Sequence, residues 1–247
     1  MTSYGLAGLG IVVISAIVLA LFAILHHRSP LFFRTIRAFT HIQRVTRLVV
    51  EDGTRLHFSL GNGNLLTQSA ASALAGLSLL RRLGEISSLS DRPPVATSGT
   101  GLVNILAQDT LRTAHGAATA EQTFNMNNAR MTGLTPFSYV AGILPVIRDE
   151  NVSTNILVGN YGSEVGLLLD ASERQNAAVI AASENLTAQA VLFAVSPETL
   201  IGEELFAAGA YLNTNPLHAA SLLLQDVMRW FIIIALLVGA GLKLAGM

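Results

Sequence analysis

The chain has 247 residues, of which 51% are hydrophobic and 13% are charged, and its formal net charge is −1. Soluble domains carry about 25% charged residues, so this composition argues against a purely soluble, disordered or fibrous protein. The balanced charge, with a pI of about 6.6, argues against a nucleic-acid-binding protein, whose surface is usually strongly basic. The chain contains no cysteine, which excludes disulfides, thiolate catalysis and cysteine-ligated metal sites.

The first apolar run, residues 5–25, contains no charged residue. At about 1.5 Å per residue, a helix of this length spans a hydrocarbon core of about 30 Å. A cleaved signal peptide would begin with basic residues and end at a small-residue cleavage site, whereas this run follows Met1-Thr2-Ser3-Tyr4 and ends at His26-His27-Arg28. The sequence therefore predicts an uncleaved transmembrane helix within residues 1–27.

A second apolar run, residues 230–247, closes the chain. Its one charge, Lys243, lies near the far end, where a long side chain can reach the headgroups. Arg229 and Trp230 are typical of an interfacial anchor. Because the run is short for a span, we expect a C-terminal helical segment, residues 216–247, that begins near His218. A buried core helix is the alternative.

Basic residues near the membrane predict the orientation. The first span is followed by five arginines and no acidic residue before Glu51: Arg28, Arg34, Arg37, Arg44 and Arg47. The positive-inside rule then places residues 28–229 in the cytoplasm and both termini outside. We expect Arg28, Arg34, Arg37, Arg229 and Trp230 to lie at the membrane interface.

The basic segment, residues 28–53, has two interpretations. Its arginines are interleaved with apolar residues at roughly helical spacing: Leu31, Phe32, Phe33, Ile36, Phe39 and Ile42. This pattern favours an amphipathic segment lying on an anionic leaflet. A plain connector whose charges only fix the topology accounts for the same residues.

Residues 54–215 alternate short strand-like runs with longer helix-like runs, a pattern typical of a parallel sheet with crossover helices. Strands are predicted at 55–60, 94–97, 129–132, 154–158, 177–182 and 190–195. Helices are predicted at 65–83, at 102–115, at 137–147 (shortened or kinked by Pro145), after residue 164 to about residue 175, and at 197–212. Residues 116–128 are ambiguous. Because only 183–189 separate the strands at 177–182 and 190–195, that pair is expected to form an antiparallel hairpin or to enclose one helical turn. The fold class is α/β: a Rossmann-like, mostly parallel sheet with helices on both faces, flanked by transmembrane helices.

Glycines and small polar residues follow the predicted strands. In an open α/β sheet, ligands bind outside the carboxyl ends of the strands, so these residues are candidate ligand-binding residues: Gly61, Asn62, Gly63, Ser98, Gly99, Thr100, Gly101, Gly159, Asn160, Gly162, Ser163 and Glu164. Gly133, Glu184 and Glu198 would adjoin the same crevice. The alternative is that glycine is needed by the tight turns and that Asn, Ser and Thr cap the helices.

No specific catalytic or cofactor motif accompanies these loops. Gly61-Asn62-Gly63 lacks the third glycine of a dinucleotide fingerprint, and Ser98-Gly99-Thr100-Gly101 lacks the Lys-Ser/Thr ending of a P-loop. Residues 97–101 do not form a G-x-S-x-G elbow, and His115 is better explained as a helix C-terminal charge than as a general base. We therefore assign no catalytic residue and no metal site, and the sequence does not identify a cofactor.

An assembly role is the other functional hypothesis. Small residues are frequent in 69–76 and 207–210 and in both spans, and such surfaces allow helices to pack closely. The low charge of the central domain indicates that part of its surface is covered. We expect a homo-oligomeric scaffold embedded in lipid, in contact with further copies or other membrane proteins. The alternative is a sensor or enzyme that binds a nucleotide or small anion at the strand-end loops.

The segments VATSGTGLVNILAQDTLR and NILVGNYGSE, set between an N-terminal and a C-terminal span, resemble a family of bacterial and archaeal two-pass membrane proteins of unknown function. The resemblance covers nearly the whole chain. It implies the topology and a Rossmann-like domain, and it implies no activity, cofactor or catalytic residue.

Overall fold

The computed structural model describes residues 3–28, 34–118, 124–196, 199–213 and 216–244. The chain divides into two compact units, one formed by Met1–Arg34 with Asn213–Met247 and the other by Thr35–Leu212. Some of the sequence-based predictions concern positions outside the described residues: Leu31, Phe32, Phe33, Glu198 and the side chain of Arg28.

The first unit consists of two long helices, α1 (Ser3–Arg28) and α9 (Pro216–Leu244). They contact each other, and Ser15 Oγ lies 3.9 Å from Met228 Sδ. Within them, Gly8–Leu25 and Leu217–Leu244 are long and apolar enough to cross a membrane. Helix α9 begins at Pro216, close to the expected start near His218, so its apolar stretch is longer than residues 230–247 alone.

The second unit is a three-layer α/β fold. Its strands are β1 (Arg55–Gly61), β2 (Val95–Ser98), β3 (Ala129–Met131), β4 (Val152–Asn160), β5 (Ala178–Ser183) and β6 (Thr199–Ile201). Its helices are α2 (Arg37–Glu51), α3 (Ala70–Ser87), α4 (Gly101–Ala118), α5 (Pro136–Asp149), α6 (Val165–Arg174), α7 (Leu186–Val195) and α8 (Glu204–Asn213). The described strands form one sheet in the order β3-β2-β1-β4-β5-β6, and every neighbouring pair is parallel.

Helices cover both faces of the sheet, which confirms the Rossmann-like prediction. On one face Phe58 and Leu60 pack with apolar residues of α2, α3, α4 and α8. On the other, Leu157 packs with apolar residues of α5, α6 and α7, among them Ile143 and Leu168. A sheet buried on both faces explains why most of its strands lack a regular apolar–polar alternation.

Helix α2 belongs to this α/β unit, although the sequence places residues 28–53 in a separate segment. Its apolar face, including Phe39 and Ile42, is buried in the core. The ring of Phe39 stacks on that of Tyr211, with centroids 4.8 Å apart. Since the domain itself covers these residues, they are not available to lie in a lipid leaflet, and the amphipathic interpretation is wrong for the apolar face of α2.

The structure corrects the prediction for residues 190–195, which belong to helix α7 and not to a strand. Asn185 caps that helix, because its Oδ1 accepts a hydrogen bond from the Thr187 N–H at 2.9 Å. No antiparallel hairpin forms within the described residues: α7 is the crossover from β5 to β6, and these two strands are parallel. A short apolar run has no periodicity that separates a strand from a helix.

Three predicted helices also differ in extent. The predicted helix at 197–212 contains strand β6, and α8 begins only at Glu204. Helix α3 begins at Ala70 instead of residue 65, since Asn64 starts a turn in which its Oδ1 accepts the Leu66 N–H. Helix α5 continues through Pro145 to Asp149, with the proline on its exposed side.

Candidate functional site

The strand order places a topological switch point between β1 and β4. From β1 the chain proceeds outward to β2 and β3, then returns to β4 on the other side of β1. In such sheets the crevice outside the carboxyl ends of the two central strands is the usual ligand-binding position. The loops that follow β1, β2 and β4 carry the candidate residues, so we define these loops as the strand-end site.

The strand-end loops are hydrogen-bonded to one another. The Gly99 N–H donates to the Gly61 carbonyl at 2.9 Å, and the Asn62 N–H donates to the Asn160 carbonyl at 2.9 Å. The Thr100 hydroxyl donates to the Gly63 carbonyl at 3.1 Å. The structure therefore brings together the candidates at 61–63, 98–101 and 159–160 through contacts of the protein with itself.

Two glycines are required by this close approach. Gly61 has a φ of +65°, and a Cβ there would lie 2.5 Å from the Asn160 carbonyl oxygen. A Cβ at Gly99 would overlap the side-chain amide of Asn62. Since glycine allows both the left-handed conformation and close backbone contact, loop packing alone accounts for these two residues.

Gly162, Ser163 and Glu164 form a local turn after β4. The Gly162 N–H donates to Oε1 of Glu164 at 2.7 Å, and Glu164 is buried. On the neighbouring strand, Glu184 follows β5 and accepts a hydrogen bond from the Ser72 hydroxyl at 2.9 Å. The described loops after the six strands contain these two carboxylates and Glu203, but no lysine or arginine, so they offer no side-chain cation to a phosphate.

The side chain of Asn62 differs from the loop contacts described above, because it takes no part in them. Its Nδ2 and Oδ1 are both buried and have no hydrogen-bond partner among the described residues. A buried polar group without a partner costs about 1–3 kcal/mol. The amide lies beside the switch point and therefore marks a place in the strand-end site with unused hydrogen-bonding capacity.

A chain of buried polar side chains runs beneath the strand-end site, on the face of the sheet covered by α5 and α6. His57 Nδ1 lies 2.6 Å from Asn155 Oδ1, and His57 Nε2 lies 2.9 Å from Thr97 Oγ1. The Asn155 Nδ2 donates to Ser172 Oγ at 2.8 Å. Because the amide oxygen of Asn155 can only accept, the neutral imidazole donates from Nδ1 and accepts the Thr97 hydroxyl at Nε2.

Two tyrosines extend this chain toward the end of β1. The Tyr139 hydroxyl lies 2.6 Å from Ser59 Oγ and accepts the Gly61 N–H at 3.1 Å. The Tyr161 hydroxyl donates to the Ser59 carbonyl at 2.7 Å. We call His57, Ser59, Thr97, Tyr139, Asn155, Tyr161 and Ser172 the buried polar chain.

Burial sets the protonation of this chain. Burial penalises the imidazolium and lowers the pKa of His57 to about 4, a shift that the hydrogen bond with Asn155 only partly opposes. Burial likewise raises the pKa of the Tyr139 and Tyr161 hydroxyls. The chain is therefore uncharged at neutral pH, and it is a hydrogen-bonded core rather than a charged catalytic centre.

Local signals position Tyr139 over the sheet. Thr135 and Ser138 form a reciprocal capping box at the start of α5, with Pro136 at the first helical position. This arrangement satisfies the orphan donors of the first turn and fixes where the helix begins. Tyr139 then faces β1 and β2, where its hydroxyl reaches Ser59 and Thr97.

The buried polar chain is absent from the candidate residues predicted from the sequence. His57 and Asn155 are 98 residues apart, and their contact exists only because β1 and β4 are neighbours. One signal was available: His57 and Ser59 alternate with apolar residues inside a predicted buried strand. Buried polar residues in such a strand require partners.

At the opposite end of the strands, before β4, Glu150 forms ion pairs with two arginines. Its carboxylate forms ion pairs with Arg55 and Arg130. Partial burial opposes ionisation of Glu150, but the hydrogen bond and charge of Arg130, together with Arg55, outweigh it and lower the pKa of the carboxyl. The described residues contain no group of three His, Asp or Glu side chains placed to hold a metal ion.

The predicted interface residues are largely exposed. Arg34 and Arg37 are exposed before and at the start of α2, and Trp230 is exposed on α9. Arg229 lies 3.7 Å from Asp226.

An exposed apolar surface surrounds the edge strand β3. A Cβ at Gly101 would lie 3.9 Å from Met131 Sδ, and Gln108 Nε2 donates to the Ala129 carbonyl at 3.3 Å. Ile105 lies between Gly101 and Gln108 on that side of α4. We define the β3-edge surface by five large apolar side chains that are 45–73% exposed: Leu102, Ile105, Met131, Leu134 and Phe137.

Residues 5–247 match the family described as a domain of unknown function, DUF6754. No curated protein and no solved structure matches the chain. Because the match covers nearly the whole sequence, the chain belongs to the DUF6754 family.

Proposed function

We propose that this member of the DUF6754 family is a membrane-anchored, homo-oligomeric scaffold without catalytic activity. The observation that carries the proposal is the β3-edge surface, where Leu134 is 73% and Phe137 is 67% exposed. Several large apolar side chains exposed around one edge strand indicate an interaction surface. An edge strand adds a row of backbone groups that can pair with another chain.

A second copy of the chain is the proposed occupant of this surface. Two copies related by a two-fold axis can place the same patch against itself, which is the commonest arrangement in homo-oligomers. The small residues of α1 and α9, including Gly8, Gly10 and Gly239, favour additional close helix packing in lipid. The low charge of the chain, 13%, agrees with a surface that is partly covered.

Native mass spectrometry of the protein, extracted gently from its membrane, tests this proposal. We expect a defined multiple of the 26.1 kDa chain and a shift to monomer in a Phe137→Glu variant. Phe193→Glu is the matched control, because Phe193 is a phenylalanine of similar exposure (73%, against 67% for Phe137) on helix α7. A monomeric wild type, or an oligomer broken by the control and not by Phe137→Glu, would contradict the proposal.

Cross-linking locates the contact directly. Since the chain has no cysteine, an Ile105→Cys variant carries a single thiol. We expect oxidation to link two copies of this variant by a disulfide between their thiols. A Ser78→Cys variant, with its thiol at an exposed position on α3, should not cross-link. Equal cross-linking at both positions would indicate random collision.

The membrane arrangement is part of the proposal. We infer that α1 and α9 both cross a prokaryotic inner membrane, with the α/β unit in the cytoplasm and both termini outside. The arginines that follow α1, with no acidic residue before Glu51, support this orientation. A C-terminal fusion to a reporter active only in the periplasm should be active, and activity of a cytoplasmic reporter instead would overturn the orientation.

A second candidate function is binding of a small molecule at the strand-end site, and the unpartnered amide of Asn62 favours it. The absence of lysine and arginine from the described loops makes a neutral ligand with hydrogen-bonding groups a better match than a nucleotide or small anion. In native mass spectra such a ligand would appear as a reproducible added mass that Asn62→Leu removes while the oligomer persists. An added mass that survives this substitution would place the ligand elsewhere.

A further inference from the structure

Helix α2 carries a basic face opposite its buried apolar face. Arg37, Arg44 and Arg47 are all exposed. With 3.6 residues per turn, these positions fall within one side of the helix. Leu48 is exposed on the same side, and Glu51 lies at its far end. We call Arg37, Arg44 and Arg47 the arginine face.

The three arginines of the arginine face have no carboxylate partner among the described residues. Most other arginines of the α/β unit do have one. Arg55 and Arg130 pair with Glu150, and Arg174 pairs with Asp170. Like charges on one helix side destabilise the helix slightly. A helix that concentrates unpaired guanidinium groups on one side is therefore complementary to an anionic partner.

We propose that the arginine face binds anionic phospholipid headgroups of the membrane that α1 crosses. The inference rests on the proposed membrane anchoring of α1. Guanidinium groups match phosphate geometry through paired N–H donors, and basic residues beside a span are attracted to an anionic leaflet. The apolar face of α2 is occupied by the domain core, so this contact is at the level of the headgroups and involves no insertion.

The covalent connection keeps this partner within reach. Helix α1 ends at Arg28 and α2 begins at Arg37. Even a fully extended chain over residues 29–36 holds the start of α2 within about 30 Å of the end of α1. An anionic leaflet at the end of the span is consequently present at high effective concentration, whereas a soluble acidic protein would have to be recruited.

The experiment uses the full chain in lipid nanodiscs, with one fluorophore on a Gln43→Cys variant. Gln43 is exposed at the margin of the arginine face, and the native chain offers no competing thiol. The discs contain phosphatidylcholine alone or mixed with phosphatidylglycerol, together with a lipid that carries a quencher on its headgroup. We expect quenching in the anionic discs that is weak in the neutral ones and is lost at about 1 M salt, where the screening length falls to about 3 Å.

Substitution of the three arginines tests the assignment to this face. Each basic residue near an anionic surface contributes about a fivefold factor. The combined variant Arg37→Gln, Arg44→Gln, Arg47→Gln should therefore lower the ratio of bound to free α2 about a hundredfold. The matched control, Arg81→Gln, Arg112→Gln, Arg174→Gln, removes the same charge from α3, α4 and α6 and should leave quenching unchanged. Circular dichroism checks that both variants are folded.

A second label separates this inference from the membrane anchoring on which it rests. A fluorophore on Ile14→Cys in α1 should be quenched by acyl-chain quenchers in every disc. If Ile14 responds while Gln43 shows no dependence on phosphatidylglycerol, the headgroup contact is overturned and the anchoring stands. If Ile14 does not respond, the anchoring itself fails. Equal loss of quenching in both triple variants would show a general charge effect and would also overturn the assignment.

Discussion

The two faces of strand β1 are stabilised in different ways. On the face covered by α2, α3, α4 and α8, Leu56, Phe58 and Leu60 are fully buried among apolar side chains. On the face covered by α5 and α6, His57 and Ser59 are equally buried and are held by the buried polar chain. Apolar packing depends on volume and area, whereas a polar core depends on every donor finding its acceptor.

This difference indicates how the sheet tolerates polar residues at its centre. An unpaired polar group at these positions would destabilise the fold, but a complete chain of partners largely offsets the cost of burial. The polar face also defines which residue must oppose which, since Asn155 and Thr97 both contact His57.

The largest effect is expected on the apolar face. Phe58→Ala removes a fully buried ring from the core, and a change of this type lowers the free energy of unfolding by about 3–5 kcal/mol. Hydrogen exchange of β1 amides in the detergent-solubilised protein measures the loss. Leu74→Ala on the exposed side of α3 is the control, and a comparable loss there would mean that the measured opening is not that of the core.

The next effect is a pH dependence that belongs to the polar face. The unfolded His57 protonates near its usual pKa of 6.5, while burial holds the folded pKa at about 4. As pH falls from about 6.5 to 4, the unfolded state gains the proton first, so stability decreases, by up to about 3 kcal/mol at 1.36 kcal/mol per pKa unit.

A His57→Gln variant is the control for that titration. The variant should not lose stability between pH 6.5 and 4. At lower pH its stability still falls, because Arg130 and Arg55 lower the pKa of the Glu150 carboxyl and these ion pairs are lost when the carboxyl is protonated. Identical pH profiles for the variant and the wild type would show that His57 is not buried in its neutral form.

A smaller effect is expected from deletion of one hydroxyl. Tyr139→Phe keeps the packing of the ring but removes the acceptor of the Gly61 N–H and a partner of Ser59. The free energy of unfolding should fall by about 1–3 kcal/mol, and amide exchange at Gly61 should accelerate beyond that of its neighbours. Uniform acceleration along β1 would indicate lost packing instead of a lost hydrogen bond.

The smallest effect is expected at Asn62. Its amide has no partner among the described residues, so Asn62→Leu removes an unpaired polar group and should leave stability unchanged or increase it. Asn155→Leu is the matched comparison, because that amide is bonded to His57 and Ser172 and its loss should be clearly destabilising. A large loss from Asn62→Leu would show that its amide does have a partner, such as a bound molecule.

Local patterns predicted much of the fold. The strands at 55–60 and 154–158 lie within β1 and β4, and the two long apolar segments are helices suited to a membrane. The prediction of a strand at 190–195 was wrong, because a short apolar run lacks the periodicity that separates a strand from a helix. Asn185 was a helix-capping signal for the helix that is present there. The candidate site was predicted as a set of loops, but not the way in which Gly61, Gly99 and Asn62 close on one another.

Two apolar helices around an α/β domain, with glycines at the strand ends, are predictable from the sequence alone. Composition and local periodicity encode these features, since they depend on residues close together in the chain. The position of β1 between β2 and β4 arises only in the folded protein, where it joins His57 to Thr97 and Asn155. The packing of α2 on the domain likewise gives that helix a buried apolar face and an exposed arginine face. Strand neighbours are selected by packing over long chain separations, and no short segment of sequence contains that information.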